Sequence, residues 1–98
     1  MPRIMQFTFG GSVPLEEARA TLRLAEMAVE SLFGTERVSM EATVRINFAT
    51  RRFAIDVSRG AGRTLALVFA GYARREFGPE CVMVEHVAKT MQRGVGAA

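Results

Sequence analysis

The chain has 98 residues, of which 13 are Lys or Arg and 10 are Asp or Glu, giving a net charge of +3, and 49% of it is hydrophobic. That length supports one domain that buries roughly 60–65% of its unfolded surface, and the balance of apolar and charged residues excludes a disordered chain. Cys81 is the only cysteine, which excludes an internal disulfide and a cysteine-based metal cluster. No apolar run approaches the ~20 residues of a membrane-spanning helix.

The chain opens with PRIMQFTFGG, a strand running into a glycine turn. Arg3, Met5, Phe7 and Phe9 fall on one face, and Ile4, Gln6 and Thr8 on the other, by the two-residue period of a strand. Ser12 is placed to cap the following helix, with Pro14, Glu16 and Glu17 in its first turn. Leu15, Ala18, Leu22, Ala25, Val29, Leu32 and Phe33 recur at helical spacing, so that helix runs to about Phe33, where Gly34 suits a left-handed cap. The segment 37–48 alternates Val38, Met40, Ala42, Val44, Ile46 and Phe48 against Ser39, Glu41, Thr43, Arg45 and Asn47. It reads as a strand, paired through a short link at Ala49 and Thr50 with a third strand over 51–58. A second helix is expected from about Thr64 to Phe77, with Tyr72 towards the sheet and Gly78 and Pro79 as its stop. CVMVEHV, 81–87, reads as the last strand.

The reading is a single α+β domain over 1–87 with a flexible C-terminal tail over 88–98. Its element order is β-α-β-β-α-β: a four-stranded sheet with two helices on one face. Crossover helices feeding parallel neighbouring strands leave the other face free for a ligand or partner. With neither a leader nor a membrane span legible, and a single unpaired cysteine, the expected location is cytoplasmic.

Three sets of residues are candidates for chemistry. Removal of Met1 would make Pro2 a secondary amine, and an apolar or cationic setting lowers an amine from its usual ~8 towards neutrality, where it serves as a general base. Arg45 and Arg52 alternate onto the open face, where they either hold a carboxylate or pair across strands with Glu41 or Asp56. Arg59 and Arg63 frame Gly60, Ala61 and Gly62 at a helix amino terminus, which favours an anion, though the same residues also suit a tight connection with solvated arginines. The full phosphate-loop motif is absent, as is any metal-ligand spacing around His86.

With these residues in place, the chain resembles the tautomerase superfamily. The likeness lies in Pro2 opening the first strand, in the glycine turn with Ser12 before a helix, and in SRGAGRT, which is similar to the Gly-Ala-Gly-Arg-Ser turn of the muconate isomerase members. FGPECVMVEHV is similar to the strand that closes the longer members. The resemblance implies the same element order, assembly as a homo-oligomer (a trimer), and a keto-enol tautomerase acting on a small anionic carbonyl substrate. It implies Pro2 as base, cationic side chains that hold the substrate carboxylate and steady the enolate, and no cofactor; Arg45, in a TVRI segment similar to the arginine-bearing second strand of the short members, or Arg52 is the anion holder. The chain departs from the short members at Gly11-Ser12, where they carry an arginine, and in the longer segment between Gly34 and Arg45. The competing class is a non-enzymatic ferredoxin-like module for ligand or anion binding or for oligomerisation. A nucleic-acid surface of this topology would set aromatic residues on the open face; here Gln6, Thr8, Thr43, Arg45, Arg52 and Asp56 are expected there, so nucleic acid is not an expected partner.

Overall fold

A computed structural model of the chain describes residues 3–88. The elements run β1 (Arg3–Phe9), α1 (Leu15–Phe33), α2 (Thr35–Glu41), β2 (Val44–Asn47), β3 (Arg52–Asp56), α3 (Gly60–Phe77), a 3-10 turn (Pro79–Cys81) and β4 (Val82–Ala88). The four strands form one sheet in the order β2-β3-β1-β4, with every neighbouring pair antiparallel. The α+β sandwich expected from the sequence is therefore present, with α2 as an addition.

The strands joined by each crossover are parallel, as expected, but they are not neighbours. β3 lies between β1 and β2, and β1 lies between β3 and β4. This is the split β-α-β arrangement of ferredoxin-like sheets. Alternation along a strand states which face a residue takes and says nothing about which strand lies beside it.

The core sits between the sheet and the two long helices. Phe7, Phe53 and Phe69 are fully buried and Phe9 nearly so. Phe7 stands edge-on to Phe69 at 4.9 Å, Phe9 edge-on to Phe53 at 4.9 Å, and Phe53 stacks on Phe69 at 6.0 Å. Each ring contributes about 1.5–3 kcal/mol through burial, and offset or edge-on pairs add about 0.5–1.5 kcal/mol. Helix α1 meets this cluster through Ala18, Leu22, Ala25 and Val29, at intervals of three and four, and α3 through Leu65, Ala66, Phe69, Ala70 and Ala73. The alanines of α3 let its backbone approach the sheet closely.

Several expectations are corrected. Residues 35–41 form a helix, not the start of a strand: Val38 and Ala42 are buried while Met40 is 75% exposed, so the apolar spacing that matters is four, and an Arg37–Glu41 ion pair of 3.0 Å spans the same interval. The hairpin strand shortens to Val44–Asn47, and Phe48 lies exposed in the turn. Pro14, not Ser12, is the N-cap of α1, and no side chain bonds there. Helix α3 begins at Gly60, so the glycine stretch is its first turn and not a loop. Leu32 and Tyr72, both expected to face the sheet, are exposed. Gly34 adopts φ 89°, which glycine reaches without strain. Ala88 closes β4, so the strand takes in the first residue assigned to the tail, and 89–98 lie outside the described residues.

Candidate functional site

Pro2 lies outside the described residues. The other four sequence candidates are distributed over two faces of the sheet. Phe53 and Ile55 point into the core, so Arg52, Ala54 and Asp56 point the other way, and the register Arg45↔Ala54 and Asn47↔Arg52 puts Arg45 and Arg52 diagonally adjacent on the open face. Both are exposed, and neither is in an ion pair among the described residues. The cross-strand partner proposed for Arg45 is engaged elsewhere, because Glu41 belongs to α2. The open face carries no aromatic side chain among the described residues.

The amino terminus of α3 already holds an anion. Glu41 Oε1 accepts the Ala61 N–H at 3.2 Å, and Oε2 accepts Arg37 Nε at 3.0 Å. The Ala61 bond foremost, then the Arg37 hydrogen bond, hold the Glu41 carboxyl below its ordinary range, with Arg59 contributing by charge. A carboxylate at this position satisfies a free helix N–H and complements the dipole. Arg59, the N-cap residue of α3, thus stands beside an internal carboxylate. Gly62 explains why the glycine stretch is needed: a Cβ there would lie 2.0 Å from the Asp56 carbonyl oxygen and 2.8 Å from that of Glu41.

Arg63 faces a different environment. It lines a groove of about 400 Å³ on the helix side of the sheet, with Arg3, Met5, Val57, Ser58, Leu67 and His86. Arg3 and Met5 come from the start of β1, His86 from the facing position on β4 (Met5↔His86), and Arg63 and Leu67 from one face of α3. The loop after β3 is tied to β1: Val57 N–H donates to the Arg3 carbonyl at 2.9 Å, and Arg3 N–H donates to Ser58 Oγ at 3.1 Å. Ser58 is held in turn by Asp56, whose Oδ1 accepts the Ser58 N–H at 2.8 Å and its hydroxyl at 2.6 Å. Arg63 Nη1 donates to the Ser58 carbonyl at 3.3 Å, which steers its guanidinium along the groove. Among the described residues no carboxylate lines this groove, and neither Arg3 nor Arg63 is in an ion pair.

A second groove, between α1 and β2, is balanced in charge. It is lined by Glu16, Arg19, Arg23 and Glu26 with Leu22, Val44 and Ile46, and Arg23 is neutralised by Glu26 at 3.3 Å and Glu30 at 3.6 Å. An anion gains less there.

The sequence reading missed Arg3 and His86 as site residues and Arg51 as a structural one. Arg51, at φ 58° in the turn before β3, donates Nε to the Phe9 carbonyl at 3.2 Å and Nη2 to the Gly10 carbonyl at 2.7 Å and to the Val13 carbonyl. It fixes the loop between β1 and α1. The available signal was parity: Arg3 shares a face with Met5, and His86 with Val82 and Val84. His86 is not among the sequence candidates because no metal-ligand spacing surrounds it.

Fold and groove together define a small split β-α-β domain with an unpaired cationic groove beside its first strand. Comparison with protein-family models, with curated proteins and with solved structures finds no match to this chain. No helix among the described residues is long and apolar enough to cross a membrane, and no group of three or more His, Cys, Asp or Glu among them is arranged to hold a metal.

Proposed function

We propose that this domain binds a small organic anion in the groove between β1, β4 and α3. The observation that carries the reading is the presence of two guanidiniums, Arg3 and Arg63, with no carboxylate among the described lining residues, over an apolar floor. Guanidinium is weakly hydrated and forms paired hydrogen bonds to a carboxylate, so it captures such a ligand at modest desolvation cost. His86 adds a ring N–H at the rim. In this reading Arg45 and Arg52 are surface charges, and Arg59 belongs with the internal Glu41 carboxylate.

A tautomerase of the kind the sequence resembles is the second reading. One observation favours it: Arg3, adjacent in the chain to Pro2, lines the same groove. A Pro2 amine exposed by loss of Met1 would then act as base on a carbonyl acid held by Arg3 and Arg63, with no cofactor.

One experiment separates the two. Protein of known intact mass, lacking Met1, is titrated with acetate and with phenylpyruvate while amide and arginine side-chain resonances are followed, and phenylenolpyruvate turnover is measured beside Pro2→Ala. Shifts at Ser58, Arg63 and His86 with turnover no greater than in the variant support the binding module. Turnover that collapses in Pro2→Ala supports the enzyme. If no anion moves these resonances, both readings of the groove are wrong.

A further inference from the structure

We propose that the ligand of this groove is a monocarboxylate with an unbranched aliphatic tail of about three to seven carbons; the inference rests on the anion-binding reading above and names its ligand class. The groove lining combines two chemistries. Among the described residues, Arg3 and Arg63 supply the full positive charges in its lining, while Met5, Val57 and Leu67 supply its apolar surface. A ligand that satisfies both carries its charge at one end and hydrocarbon at the other.

The nature of the apolar side chains sets the kind of hydrocarbon. Among the described residues the lining has no Phe, Tyr or Trp, so its apolar surface is aliphatic and the only faces it offers a ring are polar or charged ones, those of His86 and the two guanidiniums. Met5 and Leu67 are flexible aliphatic side chains, and a thioether conforms to irregular apolar shapes. Met5 is 8% exposed and forms a floor, whereas Leu67 is 67% exposed and has little apolar cover of its own. A linear tail lying between them covers Leu67. The groove volume of about 400 Å³ is towards the small end of the range for ligand sites, which suits a short chain.

The charged end argues against a phosphate or other polyanion. Sites for such groups gather several backbone N–H donors at a helix amino terminus. The nearest helix start, that of α3, already has its Ala61 N–H engaged by the Glu41 carboxylate, which also places a negative charge there. One Nη of Arg63 is engaged by the Ser58 carbonyl, which leaves its charge intact. The donors that remain on Arg3 and Arg63 suit the paired hydrogen bonds of a planar carboxylate.

The test is a titration of the whole protein with acetate, butyrate, hexanoate and octanoate, and with benzoate and inorganic phosphate. Dissociation constants come from calorimetry, and side-chain resonances of Met5, Leu67 and Arg63 are followed in parallel. Burial of a methylene in this open groove is expected to tighten binding about two- to fourfold per carbon up to hexanoate. The Met5 and Leu67 methyl signals should move with butyrate and longer acids but not with acetate, and Arg63 with all four. Leu67→Ser, at an exposed position that leaves the core intact, should flatten the chain-length dependence, whereas Arg63→Gln should weaken every acid by a similar factor. A dissociation constant independent of chain length, or phosphate or benzoate binding tighter than hexanoate with the same Arg63 shift, would overturn the ligand class while leaving an anion site. Absence of any response at Arg63, Ser58 and His86 would overturn the anion-binding reading itself.

Discussion

Replacing Gly62 by alanine tests how tightly the first turn of α3 is seated. The added Cβ would lie 2.0 Å from the Asp56 carbonyl oxygen, 3.2 Å from its carbon and 2.8 Å from the Glu41 carbonyl oxygen. Ordinary contact needs about 3.4 Å or more, so the helix start must retreat by about 1.4 Å from β3. The three nearest atoms are all backbone, two from Asp56 of β3 and one from the end of α2, so rotation of a side chain does not relieve these contacts. Overpacking costs about 1–3 kcal/mol, more where backbone must move, and alanine returns at most about 1 kcal/mol of helix propensity. The expected net loss is about 2 kcal/mol or more. For a domain of this size that lowers Tm by roughly 8–16 °C. Thermal and urea unfolding followed by circular dichroism give the measurement, with two controls in the same helix. Gly60→Ala places its Cβ at 3.8 Å from Arg37 Nη2, an ordinary contact, and Gly71→Ala meets nothing within 4 Å. The first should be close to neutral and the second should stabilise by about 0.5–1 kcal/mol. A Gly62→Ala protein that melts with the wild type would refute the close-approach argument, and so would an equal loss at Gly71.

Further outcomes are expected elsewhere in the molecule. Arg51→Met removes the donor that three carbonyls share and should cost about 2 kcal/mol in urea unfolding, with Arg51→Lys recovering little because one ammonium cannot span the same three acceptors. Phe69→Ala, which empties the centre of the aromatic cluster, should cost about 3–5 kcal/mol by the same assay. Glu41 titrates with a lowered pKa in the folded chain, so its contribution is present above the ordinary carboxylate range and is lost as pH falls through the folded value. Glu41→Gln should therefore melt below the wild type at neutral pH, and the two melting curves should converge on acidification; parallel curves at all pH values would refute this. Arg45→Gln with Arg52→Gln should leave carboxylate affinity in the groove unchanged, since both lie on the opposite face of the sheet.

The sequence by itself determined the elements whose burial period is unambiguous. Alternation in RIMQFTF and RFAID and the three-and-four spacing of Ala18, Leu22, Ala25 and Val29 each match one secondary structure and no other, so β1, β3 and α1 were legible, as was the α+β sandwich they build. The glycine at 34 and the Gly78-Pro79 stop set helix ends because only certain residues tolerate the backbone found there. What the tertiary structure decided depends on contacts distant in sequence. Residues 37–42 satisfy a two-residue and a four-residue period equally, and α2 wins because Val38 and Ala42 find the core while Glu41 finds Ala61, twenty positions away. Strand order obeys the same logic: β3 lies between β1 and β2 through pairings that alternation within one strand cannot encode. The groove followed from that order. Arg3, His86 and Arg63 come together because β4 lies beside β1 and α3 passes over both, and none of the three signals its neighbours in the linear chain.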